Sequence, residues 1–289
     1  MITVLGATGN VGSQVVRELT AAGTGVRAVG RDAGRLATTG AGETFVADIN
    51  DAEALRRAFD GADAAFVLLP LDPFQPDYAA HQSRLGEAVA EALRAAGTPR
   101  VVALSSLGAE VPGGPDLAVT GYLGSLHEQE QRLAPLDTRL TAVRPGLFLE
   151  SFLISADAMR EHGAHADSID PDIALPMVAT RDVGRAAAAA LLDPDAPAVV
   201  EVQGAADRTV PDAVAALGPA IGVPGLHYVR LGDDEMAALL REAGMPADQA
   251  RLHVAMNRAF NEGRVRAHGP RPAGTDALTV EEWAKGIGP

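Results

Sequence analysis

The stretch Ile2-Thr3-Val4-Leu5-Gly6-Ala7-Thr8-Gly9-Asn10-Val11-Gly12 decides how this chain folds. A short apolar run closes on a glycine, and two more glycines follow at intervals of three. Val15, Val16 and Leu19 then recur at helical spacing until Gly23. A strand, a glycine turn and a helix in direct succession form the context in which this glycine pattern carries information. The first glycine permits the tight turn, the second lets backbone approach a pyrophosphate, and the third lets the helix close on the strand. The helix start supplies free N–H groups and a positive dipole end. The motif therefore nominates Gly6, Thr8, Gly9, Asn10, Val11 and Gly12 as the phosphate-holding part of a dinucleotide site.

Outward from this motif, strand and helix patterns alternate. Val26–Val29, Thr44–Val46, Ala64–Leu69, Val101–Leu104 and Thr141–Arg144 read as strands. Helical patterns over Tyr78–Ala96 and Gly121–Leu133, and one from an Asn50/Asp51 cap through Ala58, lie between them. Continuous apolar strands alternating with helices predict an α/β fold, a doubly wound parallel sheet with helices on both faces. The second half is less regular. Leu147–Arg160, Arg181–Leu192, Pro211–Ala220, Asp233–Ala243 and Pro246–Glu262 read as helices, and Val199–Val202 as a strand. The division expected is a nucleotide-binding domain over residues 1–150 and a small C-terminal α/β substrate subdomain with a lid over 151–289, interleaved with the sheet.

Composition narrows the function. The 289 residues hold 24 Lys plus Arg against 38 Asp plus Glu, a formal charge of −14 that repels phosphate backbones and anionic lipid. No nucleic-acid or membrane partner is expected, only a small-molecule substrate, and the oligomeric state stays open. There is no cysteine, so disulfides, thiolate metal sites and cysteine nucleophiles are excluded. The single lysine is Lys285, which removes Schiff-base chemistry from the middle of the chain. The start lacks a basic, apolar leader, and no run approaches the roughly 20 apolar residues of a span. A cytoplasmic location is the expectation.

At the end of the second strand stands Arg31, whose forked guanidinium suits a 2′-phosphate and points to NADPH (NADP+) over NADH. Asp32 is the alternative, a carboxylate for the ribose hydroxyls of NAD. Asp48, ending the third strand, either reaches the adenine edge or caps the helix beginning at Asp51. Leu68, Leu69 and Pro70 end the fourth strand, where the ligand crevice should run.

These residues together resemble the NmrA-like branch of the atypical short-chain dehydrogenases/reductases, which includes quinone oxidoreductases, isoflavone-reductase-like enzymes and NADP-sensing regulators. The resemblance also rests on Ser105-Ser106, Glu130-Gln131-Arg132-Leu133, Arg144-Pro145-Gly146-Leu147-Phe148-Leu149-Glu150, Arg181-Asp182-Val183-Gly184-Arg185 and Leu278–Trp283. It implies a Rossmann domain, with NADPH across the sheet and its nicotinamide near Pro145 and Gly146.

The departure is at catalysis. Ordinary members of the superfamily pair a serine with Tyr-x-x-x-Lys, but here Tyr122 is followed four residues later by Leu126. Three candidates remain. His127 can protonate a reduced carbonyl with Glu130 orienting it, or be a surface histidine on an exposed stripe. Tyr122 is either a proton donor or a packing aromatic. Ser105 either bonds a substrate oxygen and the cofactor, or belongs to an ordinary strand-end turn. The segment His162–Asp172 has no recognised ligand spacing, so no metal is expected, and the resemblance makes it a mobile lid beside the substrate. Three functions fit these residues: an NADPH-dependent oxidoreductase passing hydride to a small quinone, enone or ketone; a non-enzymatic NADP(H) sensor; and a non-redox cyclase or isomerase.

Overall fold

Why the inner strands of the sheet are mostly apolar is answered by what covers them. The computed structural model describes residues 1–110, 116–271 and 276–287. Its strands are β1 (Ile2–Leu5), β2 (Val26–Gly30), β3 (Glu43–Val46), β4 (Ala64–Val67), β5 (Arg100–Leu104), β6 (Arg139–Pro145), β7 (Leu147–Phe148), β8 (Ala164–Asp167), β9 (Leu175–Val178), β10 (Val199–Val202), β11 (Asp207–Arg208) and β12 (His227–Arg230). Its helices are α1 (Asn10–Ala21), α2 (Ala33–Ala37), α3 (Ala52–Phe59), α4 (Tyr78–Ala96), α5 (Leu117–Thr120), α6 (Leu123–Leu133), α7 (Ala156–His162), α8 (Thr180–Leu192), α9 (Val210–Leu217), α10 (Asp233–Glu242), α11 (Ala247–Asn261) and α12 (Val280–Lys285). Seven strands form one parallel sheet in the order β10-β6-β5-β4-β1-β2-β3. Val4 sits between Ala28 and Phe66 in register, and these side chains face α1 and α8. The alternate residues Leu5, Val29, Ala65 and Val67 face α3 and α4 on the other side. Both faces are dry, so the period-two alternation of a half-exposed strand is absent. Edge strand β3 does alternate, with Thr44 and Val46 exposed.

The sheet crosses the division expected at residue 150, because β10 pairs with β6 and α8 packs against α1. The rest of the C-terminal half builds two small sheets, β11-β9-β7 and β12-β8, around a third core that includes Phe152, Met159, Met177 and Trp283. The helix expected over Leu147–Arg160 is corrected. Leu147 and Phe148 pair with Met177 and Val178 as a strand, a 3₁₀ turn spans Leu149–Ser155, and only then does α7 begin. The lid reading of His162–Asp172 is corrected too: it contains β8, paired with β12 from His165↔Tyr228 to Asp167↔Arg230, and leads into the buried Ser168 and Ile169.

Two carboxylates dock the C-terminal helix. Glu150 accepts from Thr180 N at 3.0 Å and Thr180 Oγ1 at 2.9 Å, capping α8, and from Trp283 Nε1 at 3.2 Å. Asp182, 3% exposed, accepts from Leu278 N at 2.9 Å and from Arg181 at 2.7 Å. Glu150→Ala should lower the unfolding free energy by about 2–3 kcal/mol, the loss of a helix cap plus a charged hydrogen bond. Urea denaturation checks this, and a change below about 0.5 kcal/mol, the size of an ordinary surface substitution, would mean that the contacts are incidental.

Candidate functional site

In an open parallel sheet the ligand crevice lies beyond the carboxyl ends of the strands. At the end of β1, Gly6 adopts φ +72°, and its carbonyl accepts Gly9 N at 2.9 Å. α1 starts at once, with Gly9 as its N-cap and no side chain bonded to its first N–H groups. A Cβ on Gly12 would stand 2.2 Å from the Gly6 carbonyl oxygen, so the helix lies directly on the loop. The helix start is thus left as an unblocked anion cradle. Thr8, Gly9 and Asn10 are at least partly exposed there, whereas the Val11 side chain is buried among Val15, Val16 and Phe66 and can offer only its backbone. Leu68 packs over the loop, its side chain 3.3 Å from where a Gly6 Cβ would be. Leu69 is half-buried, and exposed Pro70 gives its carbonyl to Gln82 at 2.9 Å.

The tip of β2 differs from the sequence reading. Asp32 also has a local role: its Oδ1 accepts Arg35 N at 3.0 Å and caps α2. That cap starts a short helix whose first turn brings Arg35 back over the glycine loop, where Nη2 donates to Thr8 O at 2.6 Å. Arg35, which sequence reasoning missed, thus reaches the glycine loop, while Arg31 is exposed and acts on Asp48. The signal was Asp32 itself, an N-cap three residues ahead. Asp48 is exposed and held below the usual carboxylate range, first by the Asn50 N–H and amide (2.8 and 2.7 Å) and then by Arg31. Its expected alternative as a cap is corrected: Asp51 caps α3, through Ala54 N at 2.9 Å.

A charged cluster closes the ends of β5 and β6. Arg144 donates to Glu130 in a fork, Nε to Oε1 at 2.9 Å and Nη2 to Oε2 at 2.6 Å. Two motifs quoted separately from the sequence are therefore one ion pair. Glu110 Oε2 stands 2.9 Å from Arg144 Nη1, and Glu201, paired in register with Arg144, accepts the backbone N–H groups of His268 and Gly269. The Glu130 hydrogen bond and the surrounding carboxylates push the guanidinium above its ordinary value despite burial. Burial works to raise Glu201, but the Gly269 and His268 N–H groups outweigh it and hold the carboxyl low. A carboxylate gripped by a guanidinium can only accept, so Ser105 Oγ, 2.5 Å from Glu130 Oε1, donates its proton there. Ser105 thus turns lone pairs, not a proton, to any further partner. Pro145 and Gly146 are buried and backbone-paired, through Leu107 N to Pro145 O at 2.9 Å and Gly146 N to Val202 O at 3.0 Å.

The other catalytic candidates separate. Tyr122 is 8% exposed, stacks edge-on against Tyr78 at 5.0 Å and donates to Gln249 O at 3.1 Å. Burial pushes its hydroxyl well above the ordinary range, the opposite of what a donor at neutral pH needs. Its packing reading is the one that the geometry favours. Half-buried His127 donates from Nδ1 to Ala109 O at 2.7 Å. The expectation that Glu130 orients it is corrected, because the fork of Arg144 has taken that carboxylate.

Gln249 of α11, fully buried, donates to the carbonyls of Asp72 (2.8 Å) and Gln75 (2.9 Å), strapping down the loop that leaves β4. Farther along α11, His253 Nε2 lies 3.2 Å from Asp167 Oδ1 of β8. The same oxygen accepts Asn257 Nδ2 at 2.6 Å and Ser168 N at 2.7 Å. Burial works to raise the Asp167 carboxyl, but His253, His165 and the Ser168 N–H win and hold it low. Burial lowers neighbouring His165 from the ordinary imidazole range, against the pull of Asp167, and the ring lies between Phe152 (5.4 Å) and Tyr228 (6.1 Å). Among the described residues no group of three or more His, Asp or Glu is arranged to hold a metal, and no helix is long and apolar enough to cross a membrane.

Comparison with known proteins meets this geometry. A family model described as NAD(P)H-binding matches residues 6–194. An NAD(P)H azoreductase of Xenophilus azovorans is 29% identical over 294 residues, covering 99% of this chain and 97% of the relative. A (4-alkanoyl-5-oxo-2,5-dihydrofuran-3-yl)methyl phosphate reductase of Streptomyces griseus is 33% identical over 258 residues, covering 88% and 86%. In fold, an NADPH-dependent quinone oxidoreductase of Escherichia coli, solved with NADPH, superposes with a TM-score of 0.79 at 23% identity over 99% of each chain. From the glycine loop at residue 6 to residue 194, just past α8, the chain belongs to the NAD(P)H-binding family.

Proposed function

We propose that this chain is an NADPH-dependent reductase that passes hydride to a small conjugated acceptor, a quinone, enone or ketone. The observation that carries the reading is the tip of β2. Arg35 reaches the glycine loop at the open start of α1, Arg31 ends β2 beside it in sequence, and Asp32 between them gives a carboxylate oxygen to a helix cap. The relatives' names support it, an azoreductase and a furanyl phosphate reductase by sequence and a quinone oxidoreductase by fold.

The residues fit the cofactor. The backbone from Gly6 through Gly12 holds the pyrophosphate, and Arg31 with Arg35 takes the 2′-phosphate. Asp48 lies toward the adenine end, and Leu68, Leu69 and Pro70 flank the ribose and nicotinamide. Pro145 and Gly146 carry β6 into β7 beside the nicotinamide, and Ser105 accepts a hydrogen bond from whatever donor reaches the end of β5. NADPH, when bound, supplies the hydride. The chain's own work is to orient it, to cover it with the strapped β4 loop, and to protonate the acceptor.

Gly12→Ala places a methyl where the Gly6 carbonyl now stands, so α1 must back away. NADPH should bind at least about 10-fold more weakly in calorimetry, while circular dichroism stays unchanged, the loss of one charge-assisted hydrogen bond or more. Unaltered binding would remove the cradle from the site. Arg31→Ala and Arg35→Ala should each cut the preference for NADPH over NADH by about 10-fold, and the double variant should erase it, with NADH affinity unmoved. A preference that survives the double variant contradicts the 2′-phosphate assignment. Acceptor-dependent loss of NADPH absorbance separates turnover from mere sensing.

A further inference from the structure

On the reductase reading above, an acceptor that takes hydride is left with a negative oxygen that needs one proton. The hydroxyls nearest the ends of β5 and α6 are committed, Ser105 to Glu130 and Tyr122 to the Gln249 carbonyl. His127 spends Nδ1–H on Ala109, and among the described residues no carboxylate bonds to it to balance a protonated ring.

We propose that the His253–Asp167 pair is the proton donor to the reduced acceptor. Asp167, an acceptor three times over through Oδ1, fixes the ring's tautomer: Nε2 carries the hydrogen that points at the carboxylate, and Nδ1 is the nitrogen left to act. The carboxylate balances the charge of the imidazolium and holds its plane. His253 is 24% exposed and Asp167 13%, so solvent can reload the ring although the pair is largely shielded.

Its placement follows from α11. One turn before His253, on nearly the same helix face, Gln249 grips the loop leaving β4. Leu252 O and Met256 N lie within 2.3 and 2.6 Å of where a Gly121 Cβ would stand, so the helix backbone rides on the residue before Tyr122. α11 is therefore tied at its start to the loop that follows β4 and along its length to α5, and His253 stands one turn beyond the Gln249 strap, where β8 brings Asp167 to it. In the step itself, NADPH is oxidised by loss of a hydride to the acceptor, which is reduced by two electrons. The His253 Nδ1–H bond breaks, an O–H bond forms on the acceptor, Asp167 stays ionised, and the neutral ring regains its proton from water.

Four variants, His253→Gln, His253→Ala, Asp167→Asn and His127→Gln, are compared with NADPH and 1,4-naphthoquinone. His253→Gln should lose about 100-fold in kcat with NADPH affinity unchanged, the low end of general-acid effects. Added imidazole should restore part of the His253→Ala rate, which a purely structural histidine would not show. Asp167→Asn should fall between wild type and His253→Gln. The reverse pattern, with His127→Gln carrying the loss and His253→Gln turning over normally, overturns the assignment. A second readout needs no turnover. The ring-proton NMR signal that His253→Gln removes should shift when 4-nitrophenol, a mimic of a phenolic product, is added to the NADP+-loaded protein. A signal that does not move at saturation sinks the proposal, whereas failure of every acceptor to consume NADPH sinks the reductase reading and leaves the NMR result to decide the site.

Discussion

No side chain fits between the first turn of α1 and the carbonyl of Gly6, and the cofactor half of the molecule depends on that contact. The approach, 2.2 Å for even a methyl carbon at residue 12, sets the helix over the end of β1 and leaves its first N–H groups facing the crevice. It also tucks the loop low enough for Leu68 to cover it and for Arg35 to reach the Thr8 carbonyl across from β2. A helix displaced outward would lose the lid of β4 and the arginine of α2 together.

The acceptor half depends on a different constraint, one guanidinium among three carboxylates. Arg144 joins β6 to α6 through Glu130, lies beside Glu110 in the loop after β5, and sits in register with Glu201 on β10. Such burial costs several kcal/mol per ion before the attraction is counted, so the cluster is a poor way to gain stability. What it does is define polarity. Glu130 cannot give a proton, so Ser105 must, and the end of β5 becomes a place that accepts hydrogen bonds.

Legibility in the sequence followed distance along the chain. The glycine loop was readable because strand, turn and helix lie within about one helical turn of one another, and the buried strands β4 and β5 announced themselves by apolar runs. Arg35 was half readable, since the Asp32 cap that positions it is only three residues away. Glu130 and Arg144 were both visible as motif residues, but their pairing depends on a helix crossing a strand. Asp167 and His253 are 86 residues apart and meet only because side chains of α11 reach the end of β8. The short strands β7, β8, β11 and β12 hold two to four residues each and are formed by their partners, not by their own pattern. The subdomain that shapes the acceptor pocket was for that reason the least legible part.

The position of Tyr122 explains why no lysine stands at residue 126. A lysine four residues on serves a tyrosine that must ionise readily, and its charge would have to sit beside the phenol. Here the phenol is sealed by Tyr78, Leu252 and the Gln249 carbonyl, and burial drives its acidity away from neutrality. A lysine at residue 126 would serve a phenol that is packed against apolar neighbours and already bonded to a backbone carbonyl. Quinones and activated alkenes place the new charge on a stabilised oxygen, so they ask for a weaker acid than a simple ketone does. An imidazolium paired with a carboxylate meets that demand, and the tyrosine is left to hold α11 through the Gln249 carbonyl.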